Sequence, residues 1–78
     1  MNIRYTRHAR QRMAQRNIRD EQVIETLEAP DEILHGEQLE MIAVRADGVR
    51  EIRIVYEEVD ADTVIIYTVI QSRIRHAK

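Results

Sequence analysis

At 78 residues the chain makes one domain, 1–78, close to the smallest size at which a hydrophobic core holds without staples. It has no cysteine, which excludes a disulfide framework and thiolate metal sites, and no apolar run reaches the roughly 20 residues that span a bilayer. The formal net charge of −2 hides a segregation: residues 1–19 hold Arg4, Arg7, Arg10, Arg12, Arg16 and Arg19 and no acid, residues 20–62 hold all 14 acids, and residues 63–78 add Arg73, Arg75 and Lys78.

All but one of these basic residues are arginine, the side chain suited to bidentate contact with carboxylate or phosphate. The arginine-rich N-terminus lacks the apolar stretch of a secretory signal, so a cytoplasmic location is expected.

Ile3 and Tyr5 alternate with polar neighbours over residues 2–6, which predicts a short first strand or an extended arm. Thr6 is the natural N-cap of a helix from about Arg7 to Arg16. Asn17 tolerates the left-handed conformation that ends a helix, and Ile18 then packs as the chain turns. A second helix is predicted from Asp20, taken as its cap, to Glu28. Val23, Ile24 and Leu27 form its apolar stripe, and Pro30 stops it. Two short helices joined so tightly predict a helical hairpin that must lie on something larger.

The larger element is a sheet. Strands are predicted over Asp31 to His35, Leu39 to Arg45, Glu51 to Glu58 and Thr63 to Gln71. Gly36, Asp47-Gly48 and Asp60-Ala61-Asp62 mark the turns. The last strand is largely apolar on both faces, which places it centrally, and Ser72 to Lys78 reads as a polar, basic tail. The predicted class is α+β: an N-terminal strand or arm and a two-helix hairpin packed on one face of a four-stranded, mainly antiparallel sheet. The other face is left partly open.

His8, Arg12 and Arg16 recur at i, i+4 and i+8, stacked on one helical stripe. Like charges in a column oppose helix formation slightly, so these groups need either acidic partners or an anionic ligand. One reading is phosphate recognition beside a histidine suited to proton transfer, with Arg7 as a further contact at the helix start. The other is pairing with Glu21, Glu25, Glu57 or Glu58. Arg53, inside an apolar strand, either faces the open side of the sheet and neutralises phosphorane charge or pairs with a glutamate such as Glu40. Tyr56 and Tyr67 either stack bases and offer a hydroxyl near phosphate or serve as packing residues. Arg73, Arg75 and His76 either close a basic site or form a solvated tail. His8, His35 and His76 lack metal-ligand spacing, so neither a metal nor a cofactor is expected.

The run His8-Ala9-x-x-Arg12-Met13-x-x-Arg16-x-Ile18, followed by Glu21-x-Val23-Ile24-x-x-Leu27-x-x-Pro30-Asp31, resembles the small prokaryotic domain of unknown function 4258 family. Arg53-Ile54-Val55-Tyr56 and Val64-Ile65-Ile66-Tyr67-Thr68-Val69 look like that family's closing hairpin. The family is in turn similar to RelE/ParE- and BrnT-type toxins. The resemblance implies a RelE-like fold and a metal-independent module that cleaves or binds RNA, sometimes paired with an antitoxin protein. By position, His8, Arg12 and Arg16 match the helix motif, while Arg53, Tyr67 and Thr68 match the strand pattern. Asn17 stands where the family usually shows glycine, and Arg19 where a serine-like cap is common.

The leading expectation is therefore an endoribonuclease of toxin–antitoxin type acting on single-stranded RNA. His8, Arg12, Arg53 and Tyr67 would act in catalysis, and Arg7, Arg16, Tyr56 and Arg73 would bind RNA. The rival is a non-catalytic RNA- or protein-binding module, with a homodimer joined along an open strand edge as one form of it. No membrane partner is expected.

Overall fold

Side-chain alternation decides this fold. Within Arg50–Asp60, Ile52, Ile54 and Tyr56 are buried, while Arg53 and Val55 between them face the opposite way. In the computed structural model, which describes residues 1–73, the order is β1 (Asn2–Tyr5), α1 (Arg7–Arg16), α2 (Asp20–Glu28), β2 (Glu32–His35), β3 (Met41–Asp47), β4 (Arg50–Asp60) and β5 (Thr63–Arg73).

The sheet has five strands in the order β1-β5-β4-β3-β2. It is mixed: β1 runs parallel to β5, with Ile3 opposite Val64 and Tyr5 opposite Ile66, and the remaining pairs are antiparallel. The four-stranded expectation is thus corrected, because the N-terminal segment is a full member of the sheet. Four residues with a simple alternation do not reveal a partner 61 positions away. β5 is interior as predicted, but β4 holds the middle.

Both helices pack on the face that carries Ile52, Ile54, Tyr56, Ile66 and Val69, and Ala9, Met13, Ile18 and Val23 complete one core cluster with them. The Thr6 hydroxyl accepts from the Ala9 N–H at 3.0 Å and donates to the Tyr67 carbonyl at 3.0 Å, which fixes the start of α1 over β5. Asn17 sits at φ 55, ψ 48. Its N–H meets the Ala14 carbonyl, and the Ile18 N–H meets that of Met13 at 2.9 Å. These two bonds form a Schellman motif whose apolar contact is Met13 with Ile18.

The N-cap of α2 is Arg19 rather than Asp20. The Gln22 side chain accepts from the Arg19 N–H at 2.8 Å, and Asp20 and Glu21 occupy the positive first turn. No Cα of α1 lies within 8 Å of one in α2 among the described residues, so each helix is seated on the sheet separately. Their link is the Arg10–Asp20 ion pair at 2.9 Å, with the Arg10 guanidinium 3.9 Å above the Tyr5 ring.

Two turns differ in detail from expectation. Leu39 is 78% exposed in the β2–β3 connection, because the Gly36 N–H bonds the Glu40 carbonyl and closes the loop before β3 begins. The β3–β4 hairpin turns on Gly48-Val49, with Gly48 at φ 68 in the first central position and Asp47 ending its strand. A bulge also interrupts the β4–β5 ladder, where Val55 faces Thr68 but Tyr56 faces Ile66, so Tyr67 is the extra residue.

Candidate functional site

Ala9 and Met13 turn inward from α1, and the 100° step per residue then rotates His8, Arg12 and Arg16 progressively toward the sheet. His8 is exposed, while Arg12 and Arg16 are half-buried. Arg12 Nε donates to His8 Nε2 at 3.4 Å, and Arg12 Nη1 donates to Gln15 Oε1 at 3.1 Å. In this contact His8 Nε2 is the acceptor.

None of the three meets a carboxylate within 4.0 Å among the described residues, where the ion pairs are Arg10–Asp20, Arg45–Glu25, Arg50–Asp47 and Arg53–Glu51. Two of the acids proposed as partners do other things: Glu25 meets Arg45 at 3.8 Å, and Glu57 accepts the Tyr67 hydroxyl at 2.7 Å. Arg7 is exposed in the first turn of α1, which contains no acid. The positive end of the helix dipole reinforces the charge there.

At the other end of α1, Arg16 Nη1 is enclosed and has no hydrogen-bond partner among the described residues. The Arg16 carbonyl accepts from Arg50 Nη1 at 3.3 Å. Arg50 also donates to Asp47 Oδ2 and to Gln71 Oε1. Arg73 lies in β5 rather than in a tail, and it stands directly opposite Arg50 in the ladder. Arg75 and His76 lie outside the described residues. The sequence reading missed Arg50. Its signal was its place two residues before Ile52, on the alternation that faces the helices.

The remaining candidates fall elsewhere. Arg53 emerges on the open face, where its Nε meets Glu51 Oε1 at 3.0 Å, so its partner is Glu51 and not Glu40. Tyr67 belongs to the same side, lining a shallow groove with Leu39, Glu40, Val55 and Glu57. With the sheet between them, Arg53 and Tyr67 do not converge on His8 and Arg12. Tyr56 is 5% exposed and part of the core, which removes its ring from base stacking.

The tyrosine hydroxyls are held protonated. The Glu57 carboxylate that accepts the Tyr67 hydroxyl raises its pKa, with partial burial adding to the shift. Burial raises that of Tyr56, with Glu58 contributing. Tyr5 is pushed up to about 12, by burial first and then by the Asp20 carboxylate, against the opposing pull of Arg10. On α1, the guanidiniums beside the His8 imidazole suit an anion.

Among the described residues no group of three or more His, Asp or Glu side chains is arranged to hold a metal ion. No helix among them is long and apolar enough to cross a membrane. The comparison with protein families matches the one described as Domain of unknown function (DUF4258) over residues 5–71. No curated protein and no solved structure matches the chain.

Proposed function

The chain belongs to the family described as Domain of unknown function (DUF4258), and we propose that it is a toxin-like domain that grips the backbone of single-stranded RNA along α1. The observation that carries this reading is the absence of carboxylate partners for His8, Arg12 and Arg16 among the described residues, in a chain with 14 acids. Column repulsion on the helix is left uncompensated within the described fold, and a phosphodiester supplies the missing charge. Arg7, Arg12 and Arg16 are the phosphate contacts. Phosphate contacts supply the sequence-independent part of binding, and Tyr56, being in the core, adds no stacking to it.

A second reading is metal-independent cleavage, favoured by the contact of Arg12 with His8. When Arg12 turns to a phosphate, His8 Nε2 is freed to take the proton of a ribose 2′-hydroxyl. The 2′-oxygen then attacks phosphorus, the bond to the 5′-oxygen breaks, and that oxygen leaves with a proton from the histidine or water. Arg12 and Arg16 stabilise the charge on the pentacoordinate phosphorus. Arg53 and Tyr67 take no part in this version.

Incubating the purified protein with mixed RNA in the presence of a chelator, beside His8→Ala and Arg12→Ala, separates the readings. Cleavage lost in His8→Ala with binding retained supports the nuclease. Binding without cleavage in every sample supports the module, and binding unchanged in Arg12→Ala contradicts both. An antitoxin-like protein is the partner proposed for the nuclease, and a second copy pairing at a free sheet edge for the non-cleaving binder.

A further inference from the structure

We propose that Arg16, Arg50 and Arg73 form a binding site for a phosphate group at the end of the sheet, beneath the last turn of α1. Arg50 and Arg73 are register partners on β4 and β5, two residues from the Ile52–Gln71 pair and on the same face. Like charges placed directly opposite in a ladder repel each other, and an oxyanion between them reverses the sign of that interaction. Arg16 Nη1 supplies the second, independent pointer: it is enclosed, yet no acceptor meets it among the described residues. Enclosed guanidinium N–H groups ordinarily have one.

Asp47 is the carboxylate bonded into this group, and its Oδ2 is shared between Gln22 Nε2 at 2.7 Å and Arg50 at 3.3 Å and 3.4 Å. Among the described residues Asp47 is the acid paired with Arg50, and neither Arg16 nor Arg73 meets a carboxylate within 4.0 Å. The contacts of Arg50 are all long, which leaves its donors available to a stronger acceptor. Arg50 caps the Arg16 carbonyl and so offsets part of the negative end of α1. A tetrahedral phosphate accepts from several guanidiniums at once, which a carboxylate does less well. Arg12 and Arg16 are one helical turn apart, about 6 Å of rise. One strand can therefore touch both the His8–Arg12 pair and this site with neighbouring phosphates. The RNA origin of the phosphate rests on the reading above, whereas the anion site itself does not.

The test is thermal unfolding of the whole chain in phosphate, chloride and acetate at matched ionic strength, for wild type, Arg16→Gln and Arg73→Gln. Phosphate should raise the wild-type Tm by several degrees more than it raises that of either variant. General salting effects act on all three proteins alike. An equal rise in all three overturns the site, and acetate matching phosphate overturns its selectivity. If Arg16→Gln does not fold, Arg73→Gln, at an exposed position, carries the test. In a parallel titration with hexauridylate, Arg73→Gln should bind about tenfold more weakly. A phosphate effect without any RNA binding keeps this site and sinks the RNA reading. RNA binding indifferent to Arg73→Gln, with no phosphate effect, does the reverse.

Discussion

Arg12 holds the imidazole of His8 through Nε2 at 3.4 Å, one turn away on the same helix. The contact selects the tautomer with hydrogen on Nδ1. Nitrogen NMR at a pH where the ring is neutral should show that tautomer in excess in the wild type. In Arg12→Ala the population should shift toward the Nε2–H form that dominates in free histidine. Unchanged populations would mean that the contact does not form in solution.

The sheet separates Arg53 and Tyr67 from α1. Arg53→Ala and Tyr67→Phe should therefore leave RNA affinity within about twofold of wild type, which is under about 0.5 kcal/mol. Tyr67→Phe removes the hydroxyl that meets Glu57 and should lower the denaturation midpoint slightly. A tenfold loss of RNA affinity in either variant would place the binding face on the open side of the sheet.

Asn17 occupies the left-handed region at φ 55 with its N–H closing the end of α1. Glycine adopts that conformation without strain, so Asn17→Gly should stabilise by about 0.5 kcal/mol and raise Tm by a few degrees. Asn17→Ala should destabilise by about 1 kcal/mol. Thermal unfolding of the two variants checks both signs.

These local signals were the legible part of the chain. Thr6, Asn17 and Pro30 bound the helices because caps and breakers act through neighbouring backbone, and alternation over Ile52, Ile54 and Tyr56 shows which side of β4 is buried. What spacing does not carry is long-range pairing. The parallel partner of β1, the bulge at Tyr67 and the covering of the Ile54 face by the two helices all depend on residues distant in sequence. For that reason His8 and Arg53 look like members of one site in the sequence and lie on opposite layers in the fold. The same gap hid Arg50, whose meaning comes from Arg16 and Arg73.

Tyr5 joins β1, α1 and α2 through Arg10 and Asp20, and its folded pKa is raised to about 12 from 10.0. A raised folded pKa means that the folded state holds the proton more tightly than the unfolded chain. The contribution is thus complete below pH 10 and is lost as pH climbs toward 12. Denaturant midpoints measured from pH 9 to pH 12 should fall more steeply for wild type than for Tyr5→Phe. Parallel curves would show that the phenol is no harder to ionise in the fold than outside it.

The measurement closest to the central claim is the salt dependence of single-stranded RNA binding by wild type and Arg12→Ala. Wild-type affinity should fall linearly in log–log form as salt rises, and Arg12→Ala should flatten the slope by about 0.7, one phosphate contact fewer. Equal slopes for the two proteins, or no RNA affinity at low salt, would contradict a phosphate-binding α1.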